Sequence, residues 1–518
     1  MATTEITPEA KAPAPGESGK ASYGQILKST SLVGGASLIN LAIGVIRSKA
    51  VALILGPAGV GLNGLYISIT TLTENIAGMG INSSGVRQIA EAAASGDRTR
   101  IAKTAAILRK TSLGLGVLGA AFLVIFSQQV SIATFGNGGE RAAVCLLALS
   151  VLFRLVSGGQ GALLQGMRRI TDLAKAGVLG TLLGMVTTIP LVYWLRERGV
   201  VVSVVVSAAV ALAISWSFSH RVDIERVQVS LSEVRAEAKA LLQLGSALMV
   251  SGLAMMGSGY VIRASIQQSL GLEATGLYQS AWTLGGLYVS FILQSMGADF
   301  YPRLTAAIHD HDECNRLVNE QAQISLLLAG AGIIGTLTFA SLVIKIFYAA
   351  SFAQAEFILR WICLGTALQV LSWPMGFIIV AKGKKAALMW TELSWAAVHV
   401  GLAWVGLRYF GLIGAGIAFF GSYVFHTAVV SYLSFRLTGF RWTVENQKAI
   451  AIYVLLIASV LGGLMTLPKI WALLFGSIAM AGYGFYSVST VLTLVPVEQM
   501  SGPLGRLLRL WPKGVRVA

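Results

Sequence analysis

Charge is scarce in this chain. Only 12% of its 518 residues are Asp, Glu, Lys or Arg, while 55% are hydrophobic. A soluble globular protein carries about twice that share of charge. Mean hydropathy is +0.72, and the apolar residues come in long runs, so lipid is the expected solvent for most of the surface. Acidic residues are scarcer than basic ones, 23 against 39, which leaves a net charge of +16. That balance does not indicate nucleic acid, because the basic residues sit in short loops between apolar runs rather than on one face. The three cysteines, Cys145, Cys314 and Cys363, form no spaced set, which argues against a disulfide framework or a zinc site. Catalytic signatures are missing too. No histidine opens an H-E-x-x-H, no G-x-S-x-G occurs, and no long loop leaves room for a catalytic domain, so neither an enzyme nor a cofactor is expected.

What is present is a repeat. Leu38 to Leu65 is a long apolar segment that contains Arg47, Lys49 and a Gly56-Pro57 turn. It returns at Met255 to Gly286. Val45-Ile46-Arg47 answers Val261-Ile262-Arg263, Leu55-Gly56 answers Leu270-Gly271, and Gly61-Leu62 answers Gly276-Leu277. Two copies of one plan follow each other, as in many transporters. The loops repeat as well. Arg87–Lys110 and Arg303–Ile324 both read as helix, break, helix, with Asp97 an N-cap in the first and Asp310 or Asp312 in the second. His309, Asp310, His311, Asp312, Glu313 and Cys314 crowd the second break. Capping is favoured over a metal site there, because the matching break has no such ligands.

Runs long enough to cross about 30 Å of hydrocarbon give an all-α polytopic membrane protein of about fourteen spans. The expected organisation is a disordered tail (1–21), a six-helix lobe (22–220), a charged linker (221–239), a second six-helix lobe (240–440), and an extra helix pair with a tail (441–518). Each half has an even number of spans, so the two repeats are parallel. Lys and Arg concentrate in the loops that lie on the side of the termini, which places both termini in the cytoplasm.

Charged residues inside apolar spans are the candidates for function. Each costs about 2.5 to 3.5 kcal/mol at mid-bilayer and persists where it meets a wet cavity or a partner. Arg154 sits in the middle of its span, so cavity lining is preferred over a buried pair. Arg47 and Lys49 line a cavity or snorkel to the interface, and Arg263 repeats Arg47. Glu74 and Glu392 are the acidic counterparts. They are candidates for ion coupling, and Glu74 also for neutralising Arg154. His399 and His426 read as packing residues. The excess is cationic, which suits an anionic substrate, and diphosphate is the natural choice because guanidinium grips its oxygens bidentately. Arg47, Lys49, Arg154 and Arg263 are therefore the expected substrate-binding set.

The pattern V-x-x-x-L-G-P-A-G-V-G-L from Val51 to Leu62, followed by a polar stretch through Arg87-Gln88, resembles Wzx-type polysaccharide flippases of the multidrug/oligosaccharidyl-lipid/polysaccharide exporter superfamily. The resemblance implies two lobes that alternate access around a central cavity in a bacterial inner membrane. It implies an undecaprenyl-diphosphate-linked oligosaccharide as substrate, an O-antigen unit or similar repeat unit of polysaccharide or lipopolysaccharide. Polysaccharide polymerase and chain-length proteins would be partners. A multidrug-type exporter of the same superfamily and a polysaccharide polymerase or ligase are the alternatives.

Overall fold

The computed structural model describes residues 17–224, 227 and 229–494, with individual side chains described from residue 34 onward in the first helix. Among these residues the fold is all helical. The first half contains α1 (Glu17–Gly78), α2 (Ile81–Ala94), α3 (Arg98–Ile125), α4 (Ser127–Phe135), α5 (Arg141–Gly166), α6 (Ile170–Leu195) and α7 (Glu197–Ser219). The second half contains α8 (Leu231–Ala306), α9 (His311–Thr338), α10 (Ala340–Phe347), α11 (Ala355–Ala381), α12 (Lys385–Phe410) and α13 (Ile413–Thr438). The pair α14 (Val444–Thr466) and α15 (Lys469–Leu494) follows. Ten of the described helices are long and apolar enough to cross a membrane, α1 being counted once across its break. The chain is a multi-pass membrane protein.

The two long rods, α1 and α8, each contain one residue with non-helical dihedrals. These are Gly56 (φ 65°, ψ −162°) and Gly271 (φ 87°, ψ −178°). Both are the glycines that the sequence repeat matches. Positive φ at this ψ is a conformation that only glycine adopts without strain. Pro57 then opens the next helical segment, where a missing N–H is tolerated. The expected Gly56-Pro57 turn is thus a break one residue long. Residues on both sides of it, Arg47, Ile67 and Thr70, line a common cavity, so the two segments of α1 fold back beside each other.

Where the breaks meet, α1 and α8 pack backbone to backbone. A Cβ on Gly276 would fall 1.8 Å from the Pro57 carbonyl oxygen, and one on Gly61 would fall 2.4 Å from that of Leu272. The contact is reciprocal: each glycine faces the carbonyl of the residue that follows the other half's break. Glycine is needed at both positions because any side chain would separate the rods. This end of the bundle is called the break end below.

The loops match their expected chemistry. The Asp97 carboxylate accepts from the amides of Thr99 (2.8 Å) and Arg100 (3.2 Å), and that of Asp310 accepts from Asp312 and Glu313, each at 3.1 Å. These are N-caps that open α3 and α9. The expected linker divides: its described residues up to Ser230 lie outside the helices, and α8 then begins with a capping box between Ser230 and Glu233. Of the expected N-terminal tail, residues 1–16 lie outside the described part, and the chain is helical from Glu17. The expected C-terminal tail after residue 494 also lies outside it. The extra pair α14 and α15 packs on α9, on the outside of the second half.

Candidate functional site

A cavity of about 440 Å³ lies among α1, α5, α6 and α7 in the first half. Both Arg47 and Arg154 line it. Its remaining polar wall is made of hydroxyls, among them Thr70, Ser157, Thr181 and Ser215. Small residues create the space: Gly177, Gly180 and Gly184 of α6 face Ser207, Ala208 and Ala211 of α7 across the cavity. The Ser157 hydroxyl is 3.0 Å from that of Ser215, which also hydrogen-bonds Gln160. Thr188 and Ser207 are linked in the same way at 3.2 Å. These bonds fix the positions of Ser157, Ser207 and Ser215 on the wall.

The two arginines differ in their partners. Arg154 Nε donates to Glu74 Oε2 at 2.6 Å, and the Arg154 side chain is 43% exposed while that of Glu74 is 17% exposed. Arg154 therefore both lines the cavity and holds a carboxylate, and Glu74 neutralises it. Arg47 is half-buried and makes no hydrogen bond or ion pair with the described residues. Its charge faces the cavity uncompensated, so the cavity carries one net positive charge from these three groups.

Arg263, the counterpart of Arg47, is not on this wall. It is buried in the second half, where Nε donates to Gln279 Oε1 (2.7 Å) and Nη1 to the Gly259 carbonyl (2.8 Å). Its guanidinium lies over the rings of Tyr278 and Trp282, at 5.8 and 5.6 Å from their centroids. Such faces attract a cation. Trp282 in turn stacks on His399 and meets Phe419 edge-on. His399 is fully buried, and neither ring nitrogen has a partner among the described residues. The packing role expected for His399 fits its ring contacts. Glu392 stands one turn before Trp395 on α12, half-buried, and nothing among the described residues joins it to Arg263.

Lys49 goes elsewhere. Its Nζ donates to the Ile346 carbonyl, 2.6 Å away, near the end of α10 in the other half. The opposite side mirrors this. Gln268 of α8 donates to the Ala133 carbonyl of α4 (2.5 Å), and Tyr260 shares a hydrogen bond with Thr134 (2.7 Å). Each half thus uses its first long helix to grip the short helix of the other. These bonds join the reciprocal glycine contact and close the break end.

Of the four cations and two carboxylates expected from the sequence, Arg47, Arg154 and Glu74 come together at this cavity, and Lys49, Arg263 and Glu392 do not. Sequence reasoning did not foresee the hydroxyl wall or the aromatic bed under Arg263. The signal for the first was the small-residue spacing in α6, which reads equally well as tight packing.

Kinked paired rods and two sets of long apolar helices around a cavity define the fold of this chain. It is shared with an inward-facing multidrug resistance MATE transporter of the MOP superfamily (TM-score 0.65, 18% identity, covering 78% of this chain and 95% of that one). It is shared equally with the lipid II flippase MurJ in an inward closed conformation (TM-score 0.65, 13% identity, 89% and 99%). The chain is also 20% identical over 407 residues to the lipid III flippases of Escherichia coli K12 and Shigella flexneri, spanning 77% of this chain and 95% of each relative. A family model described as polysaccharide biosynthesis protein matches residues 50–356, and the chain belongs to that family.

Proposed function

We propose that the chain flips a lipid-linked oligosaccharide across a bacterial inner membrane by alternating access. The observation that carries this reading is the uncompensated Arg47 beside Arg154 on a hydroxyl-lined wall within the bilayer. An unpaired guanidinium in that position is expensive unless an anion visits it. Hydroxyls at the same wall suit sugar and phosphate oxygens.

The substrate is an undecaprenyl-diphosphate-linked repeat unit of O-antigen type. Its diphosphate meets Arg47 and Arg154, while the polyprenyl tail stays in lipid. Arg263 serves as a second cation, presented from the other lobe as the lobes rock. Lys49 acts on passage by holding the break end shut. Both termini are cytoplasmic by the distribution of Lys and Arg, so the break end faces outward and the described conformation is closed on that side. Glu74 releases Arg154 when the diphosphate arrives, and Glu392 is a second carboxylate available for ion coupling. Polysaccharide polymerase and chain-length proteins would receive the flipped units.

The test is transport of fluorescent polyprenyl-diphosphate oligosaccharide in vesicles, together with complementation of flippase-null bacteria. Arg154→Ala in a chain of normal membrane abundance is expected to lower transport steeply and to fail in complementation. Normal surface polysaccharide with Arg154→Ala would remove this residue from the site. A multidrug-type exporter shares the fold, but a cationic cavity repels the cationic drugs that such a reading requires.

A further inference from the structure

A second cavity, of about 510 Å³, lies at the break end between the second half and the extra helix pair. The transport reading does not use it. Lys345 of α10, Arg360 of α11 and Lys469 at the start of α15 line it, with Glu356 as the only carboxylate on its wall. Three cations against one carboxylate leave two positive charges over. Neither lysine has a hydrogen-bond or ion-pair partner among the described residues, and both are exposed. Arg360 is held back: its side chain is 15% exposed, its nearest oxygen on Glu356 is 4.0 Å away, and its buried Nε has no partner among the described residues. An arginine that keeps a buried donor unpaired one turn from a carboxylate has a vacant place for an acceptor.

The rest of the wall is apolar, with Phe357, Leu464 and Leu467 on it. Phe357 and Leu467 are 46% and 45% exposed, so the cavity opens toward the hydrocarbon. A ligand that satisfies both parts has an anionic head and an apolar body. The matching short helix of the first half, α4, has no Lys or Arg. The site thus depends on the extra pair, which supplies Lys469 and the two leucines. We infer that Lys345, Arg360 and Lys469 form a binding site for the phosphate of an anionic lipid in the leaflet at the break end, with its chains lying against α14 and α15. Basic residues at a membrane surface are the usual means of holding such lipids, and guanidinium suits phosphate oxygens.

Native mass spectrometry of the full chain in zwitterionic detergent tests this, with phosphatidylglycerol, phosphatidylcholine and sodium phosphate titrated separately. Phosphatidylglycerol is expected to stay bound where phosphatidylcholine does not. Lys345→Gln/Lys469→Gln should weaken it on the order of tenfold. Lys448→Gln, an exposed lysine at the far end of α14, should leave it unchanged. Equal retention by the double variant, or equal binding of both lipids, would overturn the inference. Displacement of phosphatidylglycerol by sodium phosphate at matching concentration would assign the cavity to soluble phosphate and overturn it too. Should the double variant not fold, Lys469→Gln alone is expected to weaken binding several-fold. A photoactivatable phosphatidylglycerol on the wild-type chain should label residues 338–360 or 464–473, and labelling confined to other segments would count against the site.

Discussion

Arg47 and Arg263 hold matching places in the two copies, a little over two turns before the breaks at Gly56 and Gly271, yet their surroundings differ. Arg263 is buried against Gln279, the Gly259 carbonyl and two aromatic rings. Arg47 has none of these and faces a cavity. One pair of positions differs between the copies at this point. Gln279 supplies the acceptor in the second copy, and the residue at the same distance after the break in the first copy is Gly64. The Gln279 side chain fills the space beside that glycine, where a Cβ on Gly64 would meet its Oε1 at 2.9 Å. A duplicated arginine has thus been fixed in place in one half and left available in the other.

The sharpest way to break this comparison is to remove the available cations. Arg47→Ala and Arg154→Ala should each lower vesicle transport by roughly ten- to a hundredfold, the range for losing a charge-assisted bond, with membrane abundance little changed. Retained transport in Arg47→Ala would mean that the two copies are equivalent after all. Next comes the contact that both halves share. Gly276→Ala places a methyl against the Pro57 carbonyl and should cost about 1–3 kcal/mol through overpacking, seen as a lower thermal midpoint in detergent. An unchanged midpoint would show that the rods separate freely.

The fixed cation should answer differently from the free one. Gln279→Ala strips the Arg263 Nε of its acceptor in a buried place and should reduce stability by about 1–3 kcal/mol. Transport should fall less than in Arg47→Ala. The opposite ranking would make Arg263 the principal anion site. The smallest effect belongs to Lys49. Lys49→Met removes one bond across the break end, worth about 1 kcal/mol, so the ratio of closed to open molecules should drop about fivefold. Cysteine accessibility or spin-label distances across the break end would register this, and no change would leave the closure to the glycines and to the Gln268 and Tyr260 bonds.

Much of this is legible in the sequence alone. The paired breaks at Gly56 and Gly271 follow from a repeat whose glycines have no substitute at positive φ. Asp97 and Asp310 announced two helix starts, because capping is local chemistry within three residues. The cations also stood out, since charge in an apolar run is rare. Their destinations were not legible. Lys49 and Arg47 are two residues apart, yet one reaches a carbonyl of α10 and the other a cavity. Glu74 was a candidate partner for Arg154, but the bond depends on how α5 lies against α1.

The sequence by itself determined the all-helical membrane class, the twofold plan, the break positions and the identity of the charged residues, because each follows from periodicity, hydropathy or a residue's own backbone preference. Only the tertiary structure decided that Arg47 and Arg154 share one hollow, that Glu74 neutralises the latter, that Lys49 clasps the other half, and that the extra pair completes a second cationic cavity. Those outcomes are set by packing between helices far apart in the chain, where a guanidinium meets an acceptor and aromatic faces in one copy and a cavity in the other.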